Sequence, residues 1–141
     1  MLRRHWLSIA ILTAATGMYL FEGVWYNLFY THAYYEMKPA LRVEQWLLFS
    51  AFAKVPFSWA IAFVYLQLQE EQRTIVAGFR IGAVIGALIG AYQFLDWFGW
   101  FHVSHDFVMR EFFKTLIMAF LSGGTISFFD AALNPRPVYP F

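Results

Sequence analysis

Four long apolar stretches divide this chain, at about 6–26, 46–66, 75–98 and 112–129. Each is roughly 18–24 residues long, enough at 1.5 Å per residue to cross a hydrocarbon layer of about 30 Å. This feature constrains the fold more than any other. Lipid supplies no hydrogen bonds to the backbone, and a single segment satisfies its own groups only as a helix. Composition points the same way. Only 13% of residues are charged and 60% are hydrophobic, against about 25% charged in a soluble domain. The sequence therefore reads as one all-α domain over 1–141, an integral membrane four-helix bundle. On this reading 27–45 and 99–111 are interfacial segments and 132–141 is an extended tail.

An even number of helices places both termini on the same side. Arg3 and Arg4 flank the first helix, and the positive-inside rule then puts the N and C termini in the cytoplasm, with the chain in a bacterial inner membrane. Arg3, Arg4 and the pair Ala14-Ala15 imitate a signal peptide. The apolar run continues through "GMYLFEGVWY", however, which fits an uncleaved membrane helix. Trp25, Tyr26, Tyr30, Tyr34, Tyr35, Trp46, Trp97 and Trp100 gather near the loop side, where amphipathic rings suit the headgroup layer.

Several function classes drop out. There is no cysteine and the formal net charge is +1, so no thiolate chemistry and no attraction to nucleic acid is expected. No nucleophile elbow, HExxH or phosphate-binding glycine loop is present, and the glycines of the third segment follow no strand. The chain reads as a non-enzyme. His32, His102 and His105 fall on the loop side with Glu36, Asp96 and Asp106, and imidazole with carboxylate is a donor set that suits zinc. These three histidines are the metal-ligand candidates.

Two charges stand clearly inside apolar segments. Each ionisable residue there costs on the order of 2.5–3.5 kcal/mol, so such groups pair or line a cavity. Glu22 and Lys54 differ in depth by roughly 6 Å counted from the loop ends of their helices, a gap that a lysine side chain spans. Ala15, Tyr19, Glu22 and Tyr26 share one face of the first helix; Ser50, Lys54 and Ser58 share one face of the second. Pro56 has no N–H and frees the carbonyl of Phe52. Three readings stand open here: a structural ion pair between adjacent helices, a proton or ligand pathway through Glu22, and a Lys54 that reaches to the interface alone. Gln93 lies on the glycine face of the third helix, and Asp96 is either interfacial or joins Glu22, Arg110 or Lys114 in a polar cluster.

Gly78, Gly82, Gly86 and Gly90 recur every fourth residue, although glycine costs about 1 kcal/mol relative to alanine in a helix in water. In lipid, small residues let backbones approach closely. The series therefore reads as a packing surface, a glycine zipper. Thr115, Ala119, Ser122 and Gly123 cluster on one side of the fourth helix as its counterpart. Another subunit, or a pigment, quinone or lipid tail, are the alternative occupants.

The stretch "GMYLFEGVWYNLFYTHAYYEMKP" resembles a family of uncharacterised small bacterial membrane proteins, a domain of unknown function. Its first helix carries a Gly-x-x-Trp-Tyr-x-x-x-Phe-like motif, matched here by Gly23, Trp25, Tyr26 and Phe29, with Gly23 one place closer to the tryptophan and Phe29 one place closer to the tyrosine. The glycine series of helix three, and Gly123 with Gly124 in helix four, complete the likeness. The resemblance implies four membrane helices and no particular activity. Taken together, the residues suggest a non-catalytic accessory subunit of a larger membrane complex, respiratory or photosynthetic, in contact with the lipid bilayer and with other membrane subunits or further copies of itself. The alternative is a small oligomeric transporter or channel-like protein using Glu22 and Lys54.

Overall fold

The computed structural model describes residues 5–29, 43–100 and 104–134, and these are helix and turn. Four helices follow one another: α1 (Trp6–Phe29), α2 (Val43–Leu66), α3 (Ile75–Trp100) and α4 (His105–Leu133). A short 3-10 turn, Glu70–Gln72, joins α2 to α3. By length and composition α1, α3 and α4 each suffice to cross a membrane, and α2 contributes a further apolar helix whose described apolar part is Ser50–Leu66. The segments around His32 and His102, the residues Arg3 and Arg4, and the proline-rich end from 135 lie outside the described residues.

Several helix boundaries differ from the sequence reading. The expected interfacial segment 99–111 ends in helix, because α4 starts at His105 and not near 112. Ser104 explains the start: its backbone is extended and its Oγ accepts from the Phe107 N–H at 3.3 Å. Asp106 sits in the first turn, where the helix dipole favours a negative charge. At the other end α4 runs on to Leu133, into the expected tail. The expected segment 27–45 is likewise helical at both margins, since α1 reaches Phe29 and α2 begins at Val43.

Contacts fix the helix directions. Glu22, late in α1, meets Ser50 and Lys54, early in α2. Gly78, early in α3, faces Ser127, late in α4, and Gly90 faces Phe112. Successive helices therefore run up and down. All three other helices pack against α4, while α2 makes fewer contacts with α3 than with α1. The buried faces are rich in small or polar residues, Ala10, Ala14 and Ala15 on α1 with Thr115, Ala119, Ser122, Gly123, Ser127 and Asp130 on α4, interleaved with larger ones such as Met18, Ile61, Tyr65 and Ile126. Large side chains point outward, among them Leu20, Leu28, Leu88, Leu95 and Phe128. That inversion of a soluble protein suits a lipid surface, where bulky residues gain nothing from burial and small ones permit close helix contact.

The α3–α4 seam is the tightest in the bundle. No described glycine has a positive φ, so these glycines serve space and not backbone torsion. A methyl group built on Gly82 would collide with the Ala119 carbonyl, and one on Gly86 would lie 2.8 Å from Ala119 Cβ. Gly123 in turn faces Gly78 and Gly82. Gly17 and Gly23 on α1, by contrast, have nothing within 4 Å of an added Cβ. Gly82→Ala should therefore lose about 1–3 kcal/mol through overpacking, and Gly17→Ala should be neutral or stabilising by up to about 1 kcal/mol. Reversible unfolding in mixed micelles measures both; equal effects at the two sites would contradict the seam.

Candidate functional site

Ionisable side chains of three helices meet near the end of the bundle where α1 finishes and α4 begins. Glu22 lies seven residues before the end of α1, roughly 10 Å below it. Its Oε2 accepts from Ser50 Oγ at 2.5 Å and pairs with Lys54 Nζ at 3.0 Å, both from α2. Its Oε1 lies 3.4 Å from Lys114 Nζ, from α4. One carboxylate thus bridges lysines of two different helices.

Lys114 is the centre of the group. Its ammonium pairs with Glu111 Oε2 one turn earlier on α4. It also donates to the Tyr26 hydroxyl at 2.8 Å and lies 4.5 Å from the centre of that ring. Tyr26 in turn donates to Glu111 Oε2 at 3.5 Å. The side chains of Glu22, Lys114 and Glu111 are each less than a tenth exposed, and Lys54 is 14% exposed. Two carboxylates and two ammoniums sum to zero formal charge. A neutral cluster avoids most of the solvation cost that any one of these ions would meet alone at this depth.

Local sequence explains the convergence. Glu22 and Tyr26 are four residues apart on α1, as are Ser50 and Lys54 on α2, while Glu111 and Lys114 are three apart on α4. Each pair therefore shares a helix face. Further along, Ser122 Oγ donates to Ser58 Oγ at 3.4 Å, and the buried Tyr65 hydroxyl donates to Asp130 Oδ2 at 3.0 Å. Asn134 Nδ2 donates to the other Asp130 oxygen at 3.1 Å. Between these polar levels the packing is apolar, from Ala14, Ile61, Ala62, Ala119 and Ile126.

The expected residues fall into three groups. Glu22 and Lys54 come together directly, and Lys114 joins them. Gln93 bridges the α3–α4 seam, its Oε1 accepting from Thr115 Oγ1 at 2.9 Å, and Gly78, Gly82, Gly86 and Gly90 lie against α4 beside Ala119 and Gly123. Asp96 makes no ion pair or hydrogen bond among the described residues. Arg110 turns to the end of α1, where it donates to the Phe29 carbonyl at 3.3 Å and covers the Phe29 ring. His105 is exposed at the start of α4 with its ring edge-on to Phe94. Among the described residues no three His, Asp or Glu side chains converge on a metal site, and His32 and His102 lie outside them.

Glu111 and Asp130 are the acidic residues that sequence reasoning passed over. Glu111 belonged to a segment read as interfacial. Asp130 followed the expected end of helix four, although Gly123, Ser127 and Asp130 keep the three- to four-residue spacing of one face.

No family model, no curated protein and no solved structure matches the chain. The functional reading rests on its own residues.

Removing one member of a buried charge group strands the others, a loss of about 3–5 kcal/mol. Lys114→Met, which leaves two carboxylates facing one lysine, should lose that much. Lys54→Met should lose less, because among the described residues Lys54 pairs with Glu22 alone and is the most exposed of the four. Unfolding free energies in mixed micelles rank the two; a larger loss at Lys54 would refute Lys114 as the centre.

Proposed function

We propose that this chain is a non-catalytic structural subunit of a larger assembly in a bacterial inner membrane, of the respiratory or photosynthetic kind, with its termini on the cytoplasmic side. The observation that carries the reading is the outer face of α2. Phe52, Trp59 and Phe63 are 72%, 55% and 51% exposed, with Pro56 exposed between them. Their spacing of four, three and four residues makes one continuous stripe. Trp59 and Phe63 stack with ring centres 5.5 Å apart, which gives the stripe a rigid relief. Rigid aromatic rings supply much contact area for little conformational entropy. The charged groups of the bundle interior, meanwhile, contact one another. What the chain presents outward is shape, which suits a packing role within an assembly.

In mild detergent the wild-type chain should migrate on a native gel with an assembly much larger than a few copies of itself. The double variant Trp59→Leu/Phe63→Leu should keep its helix content and leave that assembly. A wild-type chain that runs as a clean homo-oligomer would overturn the reading.

One observation favours a second reading, a small oligomeric proton-linked transporter. Glu22 lies between lysines of α2 and α4, at 3.0 Å and 3.4 Å, so a small helix movement changes which lysine holds it. In proteoliposomes Glu22→Gln should then abolish flux while leaving the size of the assembly unchanged. A variant that loses stability alone would return Glu22 to a structural role.

A further inference from the structure

Two buried side-chain atoms have no hydrogen-bond partner among the described residues: Glu111 Oε1 and Trp25 Nε1. Glu111 is 5% exposed, and its two oxygens are treated very differently. Oε2 takes both Lys114 and Tyr26, whereas Oε1 takes nothing from the protein. Glu22, the other carboxylate of the cluster, has contacts on both of its oxygens. Buried polar atoms in folded proteins almost always have a partner, from protein or from ordered water.

We propose that the cluster holds a bound water molecule at Glu111 Oε1. The four charged side chains already balance, so the site calls for a neutral donor and not for a cation. Glu111 Oε1 needs a donor, and water supplies one without adding charge, while an amine headgroup would bring a further cation. The site lies six residues into α4, roughly 9 Å from its start, where Ser104, His105 and Asp106 are exposed. In the other direction Ala14, Ile61, Ala62 and Ala119 close the interior with apolar atoms. The bound water therefore sits on the side of the cluster nearer the start of α4. This inference stands apart from both functional readings, since a structural cluster and a transport site would each hold the same water.

The full chain, labelled with carbon and nitrogen isotopes and placed in phosphatidylcholine vesicles, allows solid-state NMR transfer of magnetisation from water to named side chains. Choline headgroups carry no N–H donor, so any donor at the site is then water. The Glu111 carboxyl carbon should receive water magnetisation as fast as the exposed Glu70 and Glu71 carboxyls. The Ile61 methyl groups should receive it slowly. Transfer to Glu111 as slow as to Ile61 would overturn the proposal. A donor contact at Glu111 that appears only when phosphatidylethanolamine is added would assign the site to a headgroup amine and overturn it equally.

Discussion

The Lys114 ammonium is the interaction on which three of the four helices depend. A lysine at that depth has lost most of its water, and only close negative or polar partners offset the loss. Lys114 finds them on two elements: Glu111 on its own helix, and Glu22 with Tyr26 on α1. Glu22 then passes the constraint on to α2 through Ser50 and Lys54. The positions of α1, α2 and α4 at this end of the bundle follow from a single group of charges.

The remaining helix is held by a different kind of contact. α3 lies against α4 through glycines that leave no room for a methyl group, with Gln93–Thr115 as a polar link in the seam. Between apolar helices in lipid there is little hydrophobic driving force, so close packing and hydrogen bonds decide which faces meet. The two devices divide the work. Glycine contact sets the distance between α3 and α4, while charge pairing sets rotation and depth for α1 and α2. Tyr65–Asp130 and Ser58–Ser122 fix the α2–α4 register further along. At the turn after α2, Arg73 ties the chain down by donating to the carbonyls of Leu66 and Leu68.

Much of this was legible from periodicity. Glu22 and Lys54 announce themselves as charges within apolar runs, and their difference in depth is one that a lysine side chain spans. The glycine series and the small residues of α4 are equally visible, because both follow helical spacing. Glu111 was hidden for a physical reason. A polar stretch with His105, Asp106, Arg110 and Glu111 looks interfacial by hydropathy, and only Ser104, as a cap for α4, reveals that helix begins there. Arg110 and Glu111 are neighbours in sequence but lie about 100° apart around α4. One therefore meets the end of α1 while the other turns into the cluster, a division that composition does not show. The pairing of Tyr65 with Asp130 was illegible for a related reason: it joins the ends of two helices far apart in the chain.

The cluster works by balance, and no single pair holds the bundle together. The most direct test of that balance replaces all four charges with apolar residues of similar size, as Glu22→Leu, Glu111→Leu, Lys54→Met and Lys114→Met in one chain. Buried ion groups exchanged whole for apolar side chains are commonly neutral or stabilising, whereas breaking one strands its partners. The unfolding free energy of the quadruple variant in mixed micelles should therefore return close to that of the wild type, well above that of Lys114→Met alone. A quadruple variant that loses as much as the single substitutions added together would contradict the balance and make each pair an independent source of stability.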